Sequence, residues 1–262
     1  MLVLSLFSGI DLLGKGFQQN GFCVVSAGDI ILGQDIRNFH SVSGKFDGVI
    51  GGSPCQDFSR ARRTEPTGYG LEMLAEFQRV VHESQPKFFL LENVPNVPQI
   101  FVDGYKVQRF FLNANEVGSA QNRHRYFQFG TKEGLLLHVQ RQSKPKKSEK
   151  CVTATEGKRG NYRTWEEVCK LQGIENNFDL PDLTKAGAYK VVGNAVNLYV
   201  SKAIALAIKQ VLSDPTPPTF QNSKTCACGC GQILQGWKKT ATDACRKRIS
   251  LKRDAPGTNK RS

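Results

Sequence analysis

Leu2–Leu6 is a short apolar run that closes on Phe7-Ser8-Gly9, the pattern of a buried strand ending in a turn. Leu12, Leu13 and Phe17 follow at helical spacing as far as Asn20-Gly21 and predict a helix. Phe22–Ser26 predicts a second strand ending at Gly28-Asp29. Phe46–Ile50 predicts a third, running into Gly51-Gly52-Ser53-Pro54-Cys55. Leu71–Ser84 has the spacing of an amphipathic helix, and Phe88–Leu91 that of a buried strand ending at Glu92-Asn93. Strands alternating with helices predict an α/β fold with a doubly wound, mostly parallel sheet. Ligands of such a sheet sit outside the carboxyl ends of its strands. Beyond Gly130 the pattern dissolves into basic, apolar-poor sequence. It returns at Thr164–Leu171 and as one long apolar helix over Val191–Leu212; Pro215-Thr216-Pro217-Pro218 then reads as a stiff linker.

The 262 residues suffice for one large domain, or a main domain with a small appendage. Apolar runs such as Phe88–Leu91 and Ile204–Ile208 fall short of a membrane span, and Met1 leads into Leu2-Val3-Leu4 without a basic flank, so no membrane and no export signal are expected. The net charge of +13 is uneven. Gln221–Ser262 carries ten Lys/Arg against two Asp, and Thr131–Arg163 nine Lys/Arg against three Glu; the rest is close to neutral. A neutral body with two basic segments fits a nucleic-acid binder, although the last dozen residues read equally well as a solubilising tail. Cys23, Cys55, Cys151 and Cys169 are dispersed, as in a reducing cytoplasm rather than a disulfide framework.

Candidate chemistry gathers at the strand ends. The Phe7-Ser8-Gly9-Ile10 turn lets a ligand approach the backbone at a helix start, and Asp29 can accept from a ribose hydroxyl. Two glycines and Pro54 force a sharp turn that presents Cys55 at the sheet edge, as a thiolate nucleophile or as a small buried apolar residue. Glu92 ends the next buried strand, where a carboxyl group can hold a proton or cap the strand. Gln121, Arg123 and Arg125 share one face of an extended stretch, and arginines there suit a phosphate or a carboxylate.

Taken in order, these segments resemble the cytosine-5 DNA methyltransferases, in the compact form of orphan enzymes from phages and prophages. Phe7-Ser8-Gly9 is similar to the family's cofactor motif, Pro54-Cys55-Gln56 to its Pro-Cys motif and Glu92-Asn93-Val94 to its Glu-Asn-Val motif. Gln121-x-Arg123-x-Arg125 matches Gln-x-Arg-x-Arg; Leu171-Gln172-Gly173 and Gly193-Asn194-Ala195-Val196 match the two late segments. The resemblance spans about Leu2 to Leu212 and implies an S-adenosylmethionine-dependent methyltransferase fold acting on double-stranded DNA. It implies that Cys55 adds to carbon 6 of a flipped-out cytosine, that Glu92 acts as an acid at ring nitrogen 3, and that Arg125 lies near the base oxygen, with Pro54, Gln121 and Arg123 completing the catalytic motifs. For S-adenosylmethionine it implies Phe7, Ser8, Gly9 and Ile10, Asp29 at the ribose, Asp35 and Ile36 at the adenine, and Asn194, Ala195 and Val196. Gln56, Ser59, Arg60, Arg62 and Arg63 correspond to a mobile loop that contacts DNA. Departures are Asp29, one place later than the family's acidic residue, and Asp11 and Leu12, where many relatives have glycines.

The resemblance divides the chain into a catalytic body (1–130), a reduced target-recognition segment (131–183), a returning helix (184–212), a linker (213–223) and a basic Cys-rich tail (224–262). So short a recognition segment implies a short or relaxed target sequence. In the tail, Cys226, Cys228, Cys230 and Cys245 resemble the ligands of a small zinc ribbon, with a disordered basic tail bearing free thiols as the alternative. A cytoplasmic monomer is expected, in a bacterium or a phage-infected cell, and the sequence leaves a cognate restriction endonuclease open. Two rival readings share the motifs: a tRNA cytosine-5 methyltransferase, and a catalytically silent DNA-binding regulator.

Overall fold

The computed structural model describes the chain except residues 60, 61, 63, 144, 146, 157–162, 176–179, 181, 222, 229–232, 235–238, 241–244, 247, 248 and 250–262. Four strands, β1 (Leu2–Leu6), β2 (Cys23–Ala27), β3 (Gly48–Gly52) and β4 (Phe88–Asn93), form a parallel sheet in the order β2-β1-β3-β4. An antiparallel pair, β5 (Lys106–Asn113) and β6 (His124–Thr131), extends it, with β6 against β4 and β5 at the edge. Helix α1 (Leu12–Gln18) crosses back from β1, and α2 (Tyr69–Ser84) precedes β4. Later come α3 (Trp165–Gln172), α4 (Lys185–Asn194) and α5 (Leu198–Ser213), then a two-residue pair, β7 (Lys224–Thr225) with β8 (Ile233–Leu234). The fold is the doubly wound, mostly parallel α/β sheet that the alternation predicts.

Both faces of the sheet are covered because the parallel strands are apolar on both sides. On one face Val3, Ile50, Phe88 and Leu90 pack with Leu13 and Phe17 of α1 and Val200, Ile204 and Ile208 of α5. On the other, Leu4, Val49, Phe89 and Leu91 pack with Met73, Leu74, Phe77 and Val80 of α2. Each fully buried phenylalanine here contributes about 2–3 kcal/mol by removal from water. Gly16 is what lets α1 and α5 meet: a Cβ there would lie 2.5 Å from Ser201 Cβ. A third cluster joins Leu12, Val152, Val168, Leu171, Tyr189 and Val192, and so ties the late helices to the first turn of α1.

Three expectations change. The single helix over Val191–Leu212 is two helices, α4 and α5, broken at Ala195–Asn197, where Asn197 caps α5 by accepting from Tyr199 N–H. Lys185–Ser213 is apolar enough by length and composition to cross a membrane, but most of it is buried against the sheet and α3. The boundary at residue 130 does not separate two cores, since Leu135, Leu137 and Val139 belong to the cluster on the α1–α5 face. Nor is the proline-rich segment a free linker. Pro218 C=O accepts from Leu136 N–H, and Phe220 N–H donates to Gly134 C=O, which lays the segment along the body.

Candidate active site

The parallel register places the chemistry. Gly52, the last residue of β3, pairs with Glu92 on β4, and Asn93 on β4 pairs with Tyr126 on β6, so Arg125 lies at the same sheet end. Beyond Gly52 the chain turns through Ser53-Pro54, and Cys55 starts a short 3₁₀ turn at Gln56–Phe58. Asn93 holds this turn in place, its Nδ2 donating to Ser53 C=O at 3.1 Å and to Ser53 Oγ at 2.9 Å. Its Oδ1 accepts from Val94 N–H at 2.7 Å. Both partners are buried, so the turn cannot drift from β4 without stranding polar groups.

A cavity of about 250 Å³ opens where β1 to β4 end. One wall is Phe7–Ile10, Gly28–Ile31, Asp35 and Ile36; another is Gly52–Gln56 with Glu92, Val94 and Arg125. Tyr69 and Met73 of α2 and Val191, Gly193, Asn194 and Ala195 of the returning segment complete it. Cys55, Glu92 and Arg125, read from three distant parts of the sequence, therefore share one cavity.

Glu92 is buried and paired with Arg125, Oε1 to Nε, at 3.0 Å. Burial raises its carboxyl above the usual range, and Arg125 and Arg123 offset only part of that rise. Burial also raises the Cys55 thiol, the Glu92 charge raises it further, and Arg125 and Arg123 oppose both. At rest the site thus favours a neutral thiol next to an acid that keeps its proton unusually well. Space around the acid is tight: a Cβ on Gly52 would come within 3.2 Å of Glu92 Oε2.

The cofactor-motif residues meet around the first turn. Phe7 (φ 51°) and Gly9 (φ 56°) both adopt left-handed backbone, which bends the chain after β1 and opens the Phe7–Ile10 wall. Asp29 ties the first two strand ends together, its Oδ2 accepting from Gly9 N–H and its Oδ1 from Ile31 N–H, each at 2.7 Å. Asp35 accepts from Arg37 N–H and from its guanidinium, which lowers its carboxyl below the usual range. Ser8 Oγ is buried without a hydrogen-bond partner among the described residues, at a cavity wall where a polar ligand would satisfy it. Val196 does not line the cavity; it is buried in the α5 core.

Asp11 has the left-handed backbone that a glycine adopts freely (φ 50°). Its carboxylate compensates by accepting from Ser5 Oγ, Ser26 Oγ and Gly14 N–H, capping α1. Leu12 points into the third apolar cluster. Neither lines the cavity.

Gln121 and Arg123 do not line it either, and there the structure corrects the expectation of a shared catalytic face with Arg125. Arg123 is buried behind the wall and donates to Val152 C=O at 2.8 Å, Gly193 C=O at 3.0 Å and Ala195 C=O at 2.9 Å. Gln121 Nε2 donates to Leu171 C=O at 2.8 Å, and its Oε1 accepts from Val152 N–H at 3.0 Å. Gln172 Nε2 donates in turn to Val192 C=O, and Asn197 Nδ2 to Leu171 C=O. Three separate sequence motifs thus form one buried polar clasp that holds the 193–195 wall against the sheet. The sequence reading missed these partnerships, and missed Asn93 and Ser53, because the motifs name residue types without saying which carbonyls they satisfy.

In the loop after Cys55, Gln56 lines the cavity and Arg62 is exposed, with its N–H donating to Ser59 C=O. Arg60 and Arg63 lie outside the described residues. Asp57 fixes the loop's far end by accepting from Thr67 N–H and Gly70 N–H. In the tail, the thiols of Cys226, Cys228 and Cys245 lie within 4.8 Å of one another, and all three are buried. Cys230 lies outside the described residues.

Residues 27–161 match the family model of the C-5 cytosine-specific DNA methylases. The chain belongs to that family. Among curated members, the type II methyltransferase M.FnuDI of Fusobacterium nucleatum is 33% identical over 170 residues, 52% of this chain and 48% of that protein. The orphan methyltransferase M.SPRI of Bacillus phage SPR is 30% identical over 172 residues, 51% of this chain and 38% of that protein. The chain spans about half the length of the curated relatives it matches or less. Among solved structures, a DNA modification methyltransferase encoded within an E. coli prophage superposes with TM-score 0.61 at 18% identity, over 82% of this chain and all of that one. The Dnmt2 methyltransferase of S. pombe does so with TM-score 0.58 at 16% identity, over 82% and 100%. The fold is accordingly that of the S-adenosylmethionine-dependent methyltransferases.

Proposed function

We propose that this chain is a DNA (cytosine-5-)-methyltransferase acting on a cytosine turned out of the duplex. The observation that carries the reading is the convergence of Cys55, Glu92 and Arg125 on one cavity, with Glu92 buried, proton-retaining and paired with Arg125. Carbon 5 of cytosine is a poor nucleophile within its aromatic ring. When the Cys55 thiolate bonds to carbon 6, the ring electrons move toward nitrogen 3, and carbon 5 gains enamine character. Glu92 donates its proton to nitrogen 3 and so prevents charge from building there. Arg125 orients Glu92 and offers a cation beside the base oxygen. The resting thiol is neutral, and its proton passes to solvent as the base and Arg125 come to favour the thiolate. After transfer to carbon 5, loss of the carbon 5 proton to solvent restores the double bond, carbon 6 releases Cys55, and nitrogen 3 returns its proton to Glu92.

S-adenosylmethionine would be held by Phe7–Ile10, Asp29, Asp35, Ile36, Asn194 and Ala195, and when bound it supplies an electrophilic methyl group. The open Phe7–Ile10 wall and the unsatisfied Ser8 hydroxyl fit a ligand carrying polar groups. Gln56, Ser59 and Arg62 would meet DNA as the loop closes, together with Arg60 and Arg63. A structural zinc on the tail thiols takes no part in the transfer. The reading places the protein in a bacterial or phage-infected cytoplasm as a monomeric enzyme of orphan type; the phage relative M.SPRI is named an orphan methyltransferase.

Parallel assays with labelled S-adenosylmethionine on duplex DNA and on tRNA test this reading. Label in DNA cytosine is expected. Label in tRNA alone would replace the substrate, and binding of duplex without transfer to either would leave the regulator.

A further inference from the structure

The tail buries few side chains among its described residues. Its buried described residues are Cys226, Cys228, Leu234 and Cys245, and they pack on Phe111 of edge strand β5, with Tyr126 of β6 and Ile249 alongside. Fewer than forty residues with so small a core do not order themselves by burial alone and need a staple. Among the described residues no disulfide supplies it: the sulfurs of Cys226 and Cys228 stand 3.4 Å apart, well beyond a bond. A tetrahedral zinc with Zn–S bonds of about 2.3 Å separates its sulfurs by about 3.8 Å. Three buried sulfurs mutually within 4.8 Å match that spacing.

We propose that Cys226, Cys228 and Cys245 bind one zinc ion, and that the metal docks a basic module on the β5–β6 hairpin as a duplex-phosphate contact. The second half rests on the DNA-methyltransferase reading above. The docking point is one face of the hairpin, where Phe111 of β5 and Tyr126 of β6 stand directly opposite each other. The charge suits phosphate: Lys224–Ser262 carries ten Lys/Arg against Asp243 and Asp254. The basic stretch Thr131–Arg163 offers the other concentration of charge, and this module adds a second phosphate-binding surface to it.

The test uses the full chain, purified without chelator, for zinc content, S-adenosylmethionine affinity, and duplex affinity over a range of salt. Near one zinc per chain is expected. Cys226→Ser with Cys245→Ser should lose the zinc, weaken duplex binding and leave cofactor affinity unchanged, which also reports that the body remains folded. Lys239→Ala with Arg246→Ala should keep the zinc and make the log–log salt slope shallower by about 1.8, the release expected from two phosphate contacts. Protein that contains no zinc and takes none up would overturn the metal site. Zinc-bound wild type whose salt slope is unmoved by the charge variant, while it still methylates duplex, would overturn the docking role and leave the methyltransferase reading standing.

Discussion

Arg123→Met separates two roles that the sequence motif assigns together. Arg123 donates to three carbonyls, at 2.8, 3.0 and 2.9 Å, and is buried. Methionine fills much of the same volume but takes the Arg123 donor from Gly193 C=O and leaves Val152 and Ala195 C=O with only the longer bonds from Cys151 Sγ and Gln172 Nε2, each at 3.3 Å. A buried acceptor stripped of its donor costs about 1–3 kcal/mol, so depriving these three carbonyls of the guanidinium costs about 3–5 kcal/mol in all. For a protein of this size each kcal/mol moves the melting temperature by about 2–4 °C, so a drop of about 6–20 °C is expected. Gly193 and Ala195 line the cavity, so S-adenosylmethionine should bind more weakly and should recover part of the lost melting temperature by mass action. Arg125→Met should abolish turnover with a smaller fall in melting temperature, because Arg125 is partly exposed and buried Glu92, its pKa already raised, can stay protonated and neutral without its partner. Differential scanning calorimetry with and without cofactor, next to single-turnover assays, makes the comparison. An Arg123→Met protein that melts like wild type yet has lost turnover would refute the clasp and return Arg123 to the chemistry.

Glu92→Gln removes the proton donor while keeping the side chain's shape, and transfer should fall by about 10²–10⁴-fold. The required acid is the protonated form, and burial raises its pKa; wild-type activity should therefore decline as pH rises through that raised value, and the pH–rate profile of Glu92→Gln should lack this decline. Gly52→Ala places a methyl 3.2 Å from Glu92 Oε2, close enough to push the carboxylate off Arg125. The carboxylate is the free end of a side chain and can yield, so stability should change by less than about 1 kcal/mol. Single-turnover kinetics should show transfer about tenfold slower, the equivalent of about 1.4 kcal/mol in the barrier. Unchanged turnover would mean that Glu92 tolerates displacement.

The parallel half of the fold was legible because its strands are uninterrupted apolar runs closed by glycine or polar punctuation: β1 falls where its pattern put it, and α2 begins two residues early. The β5–β6 pair was not. Gln108, Asn113 and Gln128 are buried within these strands and read as surface residues until their partners are known. Gln108, for example, is satisfied by Leu137 N–H and C=O from the following segment. The break at Ala195–Asn197 was hidden for a related reason. Apolar residues continue on both sides of it, and what stops α4 is Arg123 and Gln172 drawing on carbonyls of that stretch. Cys55, Glu92 and Arg125 could be read because strand ends in such a sheet converge on one edge. Gln121 and Arg123 could not be told apart from Arg125, since alternation gives a face and not a neighbour.

Trapping on duplex DNA that carries 5-fluorocytosine measures the central claim most directly. Fluorine cannot leave carbon 5 as a proton does, so the bond between sulfur and carbon 6 should persist. Peptide mass spectrometry is expected to find the methylated base on Cys55, and Cys55→Ser should bind the same DNA without forming the adduct. Active wild-type enzyme that gives no adduct, or one on a different residue, would contradict the account.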